Sequence, residues 1–247
     1  MTSAGKLASS VYEEANAFTS YFHLRDINED LQRRNASLEA EVIGLRHQLR
    51  SYRESSYADS MVVSEVLNPY SFIIAHVINN SITRPYNYIT IEKGELDGVK
   101  PEMGVVDQNG VVGVVNIVAP HSSRVISLLN PNFRLSCRVK GSDSFGSLVW
   151  DGRTYEEAVL EELPKHTVFN QGDTIVTSGY SAVFPEGIPV GIVIGKARDA
   201  NDNFFTLRVK LLTDFSQLST VRIISNALKE EIERVETEAL YEDNKTN

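Results

Sequence analysis

Apolar side chains near the start of the chain recur with a period of seven: Leu24, Leu31, Leu38, Leu45 and Tyr52. With these at the d positions of a heptad, Tyr21, Asn28, Asn35, Val42 and Leu49 fall at a. An apolar seam kept at this spacing winds two or more helices into a left-handed supercoil. The competing reading of such a stripe is a single amphipathic helix packed on a globular domain. That arrangement calls for a wider apolar face than a and d alone provide. Asn28 and Asn35 at a weaken the seam while favouring two parallel strands in fixed register. In a parallel pair, Arg34 would face Glu39 of the second helix and Glu41 would face Arg46, opposite in sign each time. Ile27 and Gly44 break the pattern. The sequence therefore predicts a parallel homodimer, held by Leu24, Asn28, Leu31, Asn35, Leu38, Val42, Leu45 and Leu49.

Residues 61–225 change alphabet, to Val, Ile, Gly and Thr in short alternating runs broken by turn signals. Asn109-Gly110 between two Val-rich runs predicts a hairpin closed by a type I′ turn, whose two central residues need positive φ. Phe184-Pro185-Glu186-Gly187 predicts a second turn, leading into a strand from Ile188 to Ile194. Pro189 lacks a ladder donor, so that strand is expected to begin on a sheet edge. The two hairpins look like copies. Gly98 to Val118 runs Gly, paired valines, turn, Val-Val-Gly-Val-Val; Gly172 to Ile194 runs Gly, Ile-Val, turn, Pro-Val-Gly-Ile-Val. Leu128-Leu129-Asn130-Pro131-Asn132-Phe133 is likewise paralleled by Leu211-Leu212-Thr213-Asp214-Phe215-Ser216. Two elements recurring in the same order point to a duplicated all-β unit of roughly 80 residues, the size of a small closed barrel.

The expected class is mainly β with an N-terminal α segment: a long coiled-coil helix followed by two small six-stranded barrels. Residues 1–20 lead into the dimerisation helix over 21–58. The barrels are expected over 61–143 and 144–226, with the boundary near Gly141–Phe145, and a polar, acidic and disordered tail over 227–247.

Charge and composition narrow the function. A net charge of −9, without a dense basic block in the β region, disfavours a nucleic-acid partner. Cys137 is the lone cysteine, which excludes an internal disulfide and a Cys-rich zinc site, and its alternating apolar surroundings predict a buried thiol. No run of about 20 apolar residues is present to span a bilayer. The scattered histidines show no metal-ligand spacing, so neither metal nor cofactor is expected.

Thr177-Ser178-Gly179-Tyr180 through Phe184-Pro185-Glu186-Gly187 to Pro189-Val190-Gly191 resembles the most distinctive stretch of the rod shape-determining MreC family. Lys93-Gly94-Glu95-Leu96-Asp97-Gly98-Val99 is similar to a second signature of that family, and the resemblance extends over roughly residues 20–225. One departure is Glu102 before Met103, where the family commonly has Gly; with Gly104 following, the bend there is expected to shift by a residue. The resemblance implies a bacterial protein on the periplasmic side of the inner membrane. It implies attachment through an N-terminal anchor that is not contained in the sequence. It also implies a scaffold of the cell-elongation complex, with MreD, MreB and a class B penicillin-binding transpeptidase as partners.

Because barrels of this family resemble the halves of chymotrypsin-like proteases, a serine hydrolase is the reading to weigh against a scaffold. Ser178 with His76, His121 or His166 and Asp143 or Asp173 supplies candidate parts. Nothing in the sequence resembles the glycine-rich loop that builds an oxyanion hole, and Ser178 and Gly179 read as turn residues, the glycine at positive φ. No enzymatic activity is expected. A periplasmic efflux or secretion adaptor also joins helices to small β domains, but needs two helical arms where one is visible. The aromatics Tyr86, Tyr88, Phe204 and Phe205 could serve a partner groove or a barrel core.

Overall fold

The computed structural model describes residues 27–46, 70–197 and 204–229, together with residues 231 and 234. Residues 27–46 form a helix, α1. Leu24, Leu49, the segment 1–20 and most of the acidic tail lie outside the described residues, as do the remaining stretches of the 21–58 helix.

Twelve strands follow among the described residues: β1 (Tyr70–Asn80), β2 (Tyr88–Ile91), β3 (Gly104–Val106), β4 (Val111–Val118), β5 (Ser123–Ser127), β6 (Leu135–Val139), β7 (Phe145–Val149), β8 (Glu157–Pro164), β9 (Thr174–Thr177), β10 (Pro189–Lys196), β11 (Phe204–Leu211) and β12 (Thr220–Asn226). They close into two six-stranded antiparallel barrels, ordered β1-β12-β3-β4-β5-β2 and β7-β6-β9-β10-β11-β8. Strand alternation explains why these sequences fold so. Ile89, Ile91, Val105, Val115, Val125 and Ile223 point into the first barrel; Cys137, Leu148, Leu160, Ile175, Val193 and Leu207 fill the second.

The cyclic orders match strand for strand: β1 with β7, β12 with β6, β3 with β9, β4 with β10, β5 with β11 and β2 with β8. The two repeats are therefore β1–β6 and β7–β12, and each sends its last strand into the other barrel. This corrects the division into barrels at 143/144. A boundary there, between β6 and β7, separates the repeats and not the barrels, because β6 pairs with β7 and β9 while β12 pairs with β1 and β3. The Leu-Leu stretches noticed in the sequence are the crossovers that carry the chain between barrels. Each plants a phenylalanine in the common core, Phe133 in one and the fully buried Phe215 in the other.

Three local expectations are corrected. The Asn109-Gly110 hairpin forms, but neither residue takes positive φ, so the turn is not type I′. The loop is instead a four-residue connection in which the Asp107 carboxylate accepts the N–H groups of Asn109 (2.9 Å) and Gly110 (2.7 Å). Glycine is needed at 110 for space: a Cβ there would stand 2.8 Å from the carbonyl oxygen of Pro189. Pro189 is not on an edge, because a closed barrel has none. It opens β10 opposite Val176 at a register shift, where a missing donor is tolerated. The bend near Met103 does not move either. Glu102 itself adopts φ 63, and its N–H donates to the Val115 carbonyl at 2.7 Å.

A left-handed residue with a Cβ costs roughly 1–2 kcal/mol. The exposed Lys229–Glu102 ion pair at 3.1 Å recovers little of that. Glu102→Gly is therefore expected to raise unfolding stability by about 1 kcal/mol, less some gain in unfolded-chain freedom. A urea melt showing a lower midpoint for the glycine variant would contradict the assignment of strain.

Candidate functional site

Helix α1 lies against the barrels, but not through its seam. Apart from the half-buried Ile43, the residues it turns inward are small or polar: Ala36 and Gly44 are buried, and Glu29, Gln32, Glu39 and Ala40 are half-buried. Leu31 (52% exposed), Leu38 (59%), Val42 (44%) and Leu45 (52%) face solvent, as do Asn28 and Asn35. Six of the eight predicted dimerisation residues fall among the described residues and all six are exposed, with Asn35, Leu38 and Val42 also bordering a cleft between α1 and the barrels. Docking and an exposed heptad, posed as alternatives in the sequence, are both found on this helix. Gly44, which looked out of place in the heptad, is buried.

Ion pairs do much of the holding. Arg222 on β12 is nearly dry, its side chain 3% exposed, and its Nη1 lies 2.7 Å from Glu39 Oε2, itself 45% exposed. Nη2 donates to the Asp107 carbonyl at 2.6 Å, and the guanidinium lies 5.8 Å from the Phe72 ring centroid. Glu29 approaches His76 Nε2 at 3.6 Å, and Arg34 pairs within the helix with Asp30 at 2.9 Å. Glu39 is thereby engaged in its own chain, which competes with the expected Arg34–Glu39 pairing between helices.

Arg138 on β6 occupies the matching position in the other repeat. It stands opposite Val176 as Arg222 stands opposite Val106. Its partner is Glu186, from the Phe-Pro-Glu-Gly turn. The same long β9–β10 loop displays Tyr180, 72% exposed, against Phe145, 48% exposed, with ring centroids 4.8 Å apart. Sequence reasoning missed this pair. Its two members are far apart along the chain, and only the β6–β7 pairing sets Phe145 beside the loop.

These barrels, their crossovers and this loop are what the comparisons recognise. The family model described as rod shape-determining protein MreC, barrel core, matches residues 77–225. The chain belongs to the MreC family. It is 28% identical over 221 residues to the cell shape-determining protein MreC of Listeria monocytogenes, covering 88% of this chain and 72% of that one. A solved L. monocytogenes MreC superposes with a TM-score of 0.62, covering 83% of this chain and 95% of that chain. The Escherichia coli MreC is 29% identical over 179 residues, 69% of this chain and 48% of that protein. A structure of the complex between penicillin-binding protein PBP2 and MreC from Helicobacter pylori shares the fold, with a TM-score of 0.52 at 13% identity over 64% of this chain and 98% of that one.

The residues weighed for hydrolysis are placed apart. Ser178 Oγ donates to Ser136 Oγ at 2.8 Å and accepts the Tyr180 N–H at 3.2 Å, the contacts of a turn residue. Gly179 takes φ 82, as a turn there requires. His166 meets Ser144 at 3.2 Å on the exposed surface, His76 lies in the first barrel near Glu29, and His121 is exposed. Among the described residues no group of three or more His, Cys, Asp or Glu side chains is arranged to hold a metal ion. Of the four aromatics singled out, Tyr86 and Phe204 are exposed, Tyr88 lies under Arg124, and Phe205 is half-buried beneath Lys196 and edge-on to Phe169.

Cys137 is fully buried on β6, and desolvation pushes its thiol far above the ordinary cysteine range. It should therefore stay unmodified by a thiol reagent at neutral pH until the protein unfolds. Stoichiometric labelling of native protein within minutes, followed by mass spectrometry, would show that the barrel opens readily.

Proposed function

We propose that the protein is a non-catalytic scaffold of the bacterial cell-elongation machinery. It dimerises in parallel through α1 and engages and activates the wall-synthesis apparatus through its barrels. The observation that carries this reading is a helix that rests on the barrels and still turns a leucine seam to solvent. Large apolar side chains repeated along one open face favour burial against another copy of the same face.

Membership of the MreC family supports a place in the cell envelope, with the barrels on the periplasmic side of the inner membrane. The H. pylori complex supports a class B penicillin-binding transpeptidase as one partner, and the family role supports MreD and MreB as others. The exposed Tyr180–Phe145 pair is the candidate anchor, since interfaces draw most of their energy from such aromatics. Dimerisation would present two anchors at once and raise avidity for clustered partners. The turn contacts of Ser178 support binding over catalysis.

Burying a leucine side chain is worth roughly 1.5–3 kcal/mol, and an aspartate at the same place would bring an unpaired charge into the seam. Leu31→Asp with Leu38→Asp should convert a dimer to a monomer without lowering the melting temperature of the barrels. Sedimentation equilibrium finding the unmodified protein monomeric at about tens of micromolar would remove the dimer from this reading.

Tyr180→Ala and Phe145→Ala should each weaken binding of the transpeptidase's extracytoplasmic region by roughly tenfold or more, measured by calorimetry. Unchanged affinity in the double variant would move the partner site elsewhere on the molecule.

A further inference from the structure

Between α1 and the two barrels lies a cavity of about 340 Å³. Its walls include Leu38 and Val42 from the helix, Phe72 and Val106 from the first barrel, and Ile188 and Pro189 from the second. Asp107 and Glu186 line it too, their carboxylates engaged by the 107–110 loop and by Arg138, and so does Arg222. That guanidinium is poorly satisfied. Nε has no hydrogen-bond partner, and Nη1 faces Glu39 at ion-pair distance without the alignment of a hydrogen bond. A buried guanidinium offers five donors, and a carboxylate can take two of them side by side. Glu39 reaches it from a helix whose buried side chains there are Ala36 and Gly44. The helix lies over the cleft without filling it.

We propose that this cleft is a docking site for a helix of a partner protein that carries one carboxylate among bulky apolar side chains, with α1 as its resident and displaceable occupant. Charge complementarity identifies the occupant, because a nearly dry cation at an apolar cavity selects a carboxylate set among apolar groups. The resident shows that a helix fits and where its carboxylate goes. A strand is disfavoured, since both barrels are closed and offer no edge for strand addition. Displacement is favoured by how α1 is held. Among the described residues its links to the barrels include Glu39–Arg222, Glu29–His76 at 3.6 Å, and Arg46 Nη1 near Gly187, and of its large apolar side chains only Ile43 is half-buried. A segment that made the same ion pair and filled the cavity would outcompete it. The proposal rests on the barrels being the partner-binding half, and it does not depend on dimerisation.

The test uses the full chain and a fluorescent peptide copying residues 27–46. The peptide carries Leu31→Ser, Leu38→Ser and Leu45→Ser to prevent seam pairing, and Ile43→Phe, at a position that lines the cavity, to occupy it. Fluorescence anisotropy should show saturable binding, about tenfold tighter to the Glu39→Gln chain, whose own helix is loosened, than to the unmodified chain. Placing Glu39→Gln on the peptide instead should weaken its binding about tenfold, and Arg222→Gln in the chain should abolish it, with melting curves confirming that the variant is folded. The proposal is overturned if the Glu39→Gln chain shows no saturable binding, or if affinity is indifferent to the peptide's carboxylate. The peptide-side substitution keeps the test decisive even if Arg222→Gln does not fold. Because the seam leucines are gone from the peptide, a failed result leaves the dimer measurement untouched, and a monomeric protein leaves this one standing.

Discussion

The fold depends on two exchanged strands. β12 forms seven register pairs with β1 and three with β3, so without it the first barrel would gape between two unpaired edges. β6 does the same service for the second barrel, with four pairs to β7 and three to β9. An unpaired edge leaves backbone donors and acceptors without partners and invites aggregation. In this structure neither repeat closes a barrel with its own six strands. The exchange makes the two barrels one cooperative body and fixes their mutual placement, which plain tethering would leave loose. Every feature at the junction inherits that rigidity. Arg138 and Arg222 ride on the exchanged strands, and Thr213 on the returning crossover bonds Asp107 in the first barrel's loop at 3.2 Å.

Much of this was legible in the sequence because it lives in periodicity. Strands, both hairpins, the duplication and even the boundary between repeats follow from alternation and from matched turn residues. Strand exchange does not. The residues of β6 and β12 would read the same whichever barrel they closed, since pairing partners are long-range facts that leave no local mark. Asn109-Gly110 shows a second kind of miss. The pair signalled a hairpin correctly, but for a different reason: Asp107 supplies the turn's hydrogen bonds, and Gly110 makes room for the backbone at Pro189. Turn chemistry read from two residues cannot see a carboxylate two positions back or a neighbouring barrel.

The helix was read as a choice between docking and self-pairing, because a single apolar stripe can satisfy only one of them. What resolves the choice is that docking here needs hardly any apolar stripe. The helix's buried positions are the small Ala36 and Gly44, and two glutamates find a buried arginine and a histidine. The leucines are left over. Small residues and ion pairs are weak sequence signals, since isolated alanines and glutamates occur on every solvated helix. The strong signal, the heptad, described positions that docking leaves exposed.

The two repeats differ where the junction needs them to. Arg138 and Arg222 stand at equivalent positions, so an ancestral unit closed on itself would have given both the same environment. In the second repeat the β9–β10 connection runs from 178 to 188, long enough to bring Glu186 back onto Arg138. In the first, the β3–β4 connection is only 107–110, and its one carboxylate, Asp107, is used up bonding its own loop and Thr213. Arg222 can take the Asp107 carbonyl but no carboxylate from the barrels among its observed contacts, and a buried cation left so is costly. The shorter loop thus creates both the space beside Arg222 and the demand for an anion from outside. Helix α1 answers the demand with Glu39 and leaves the space. The longer loop, meanwhile, lifts Tyr180 into solvent. One insertion difference between duplicated units is enough to turn a symmetric pair of barrels into a body with one arginine paired by its own barrel loop and one that must borrow its partner.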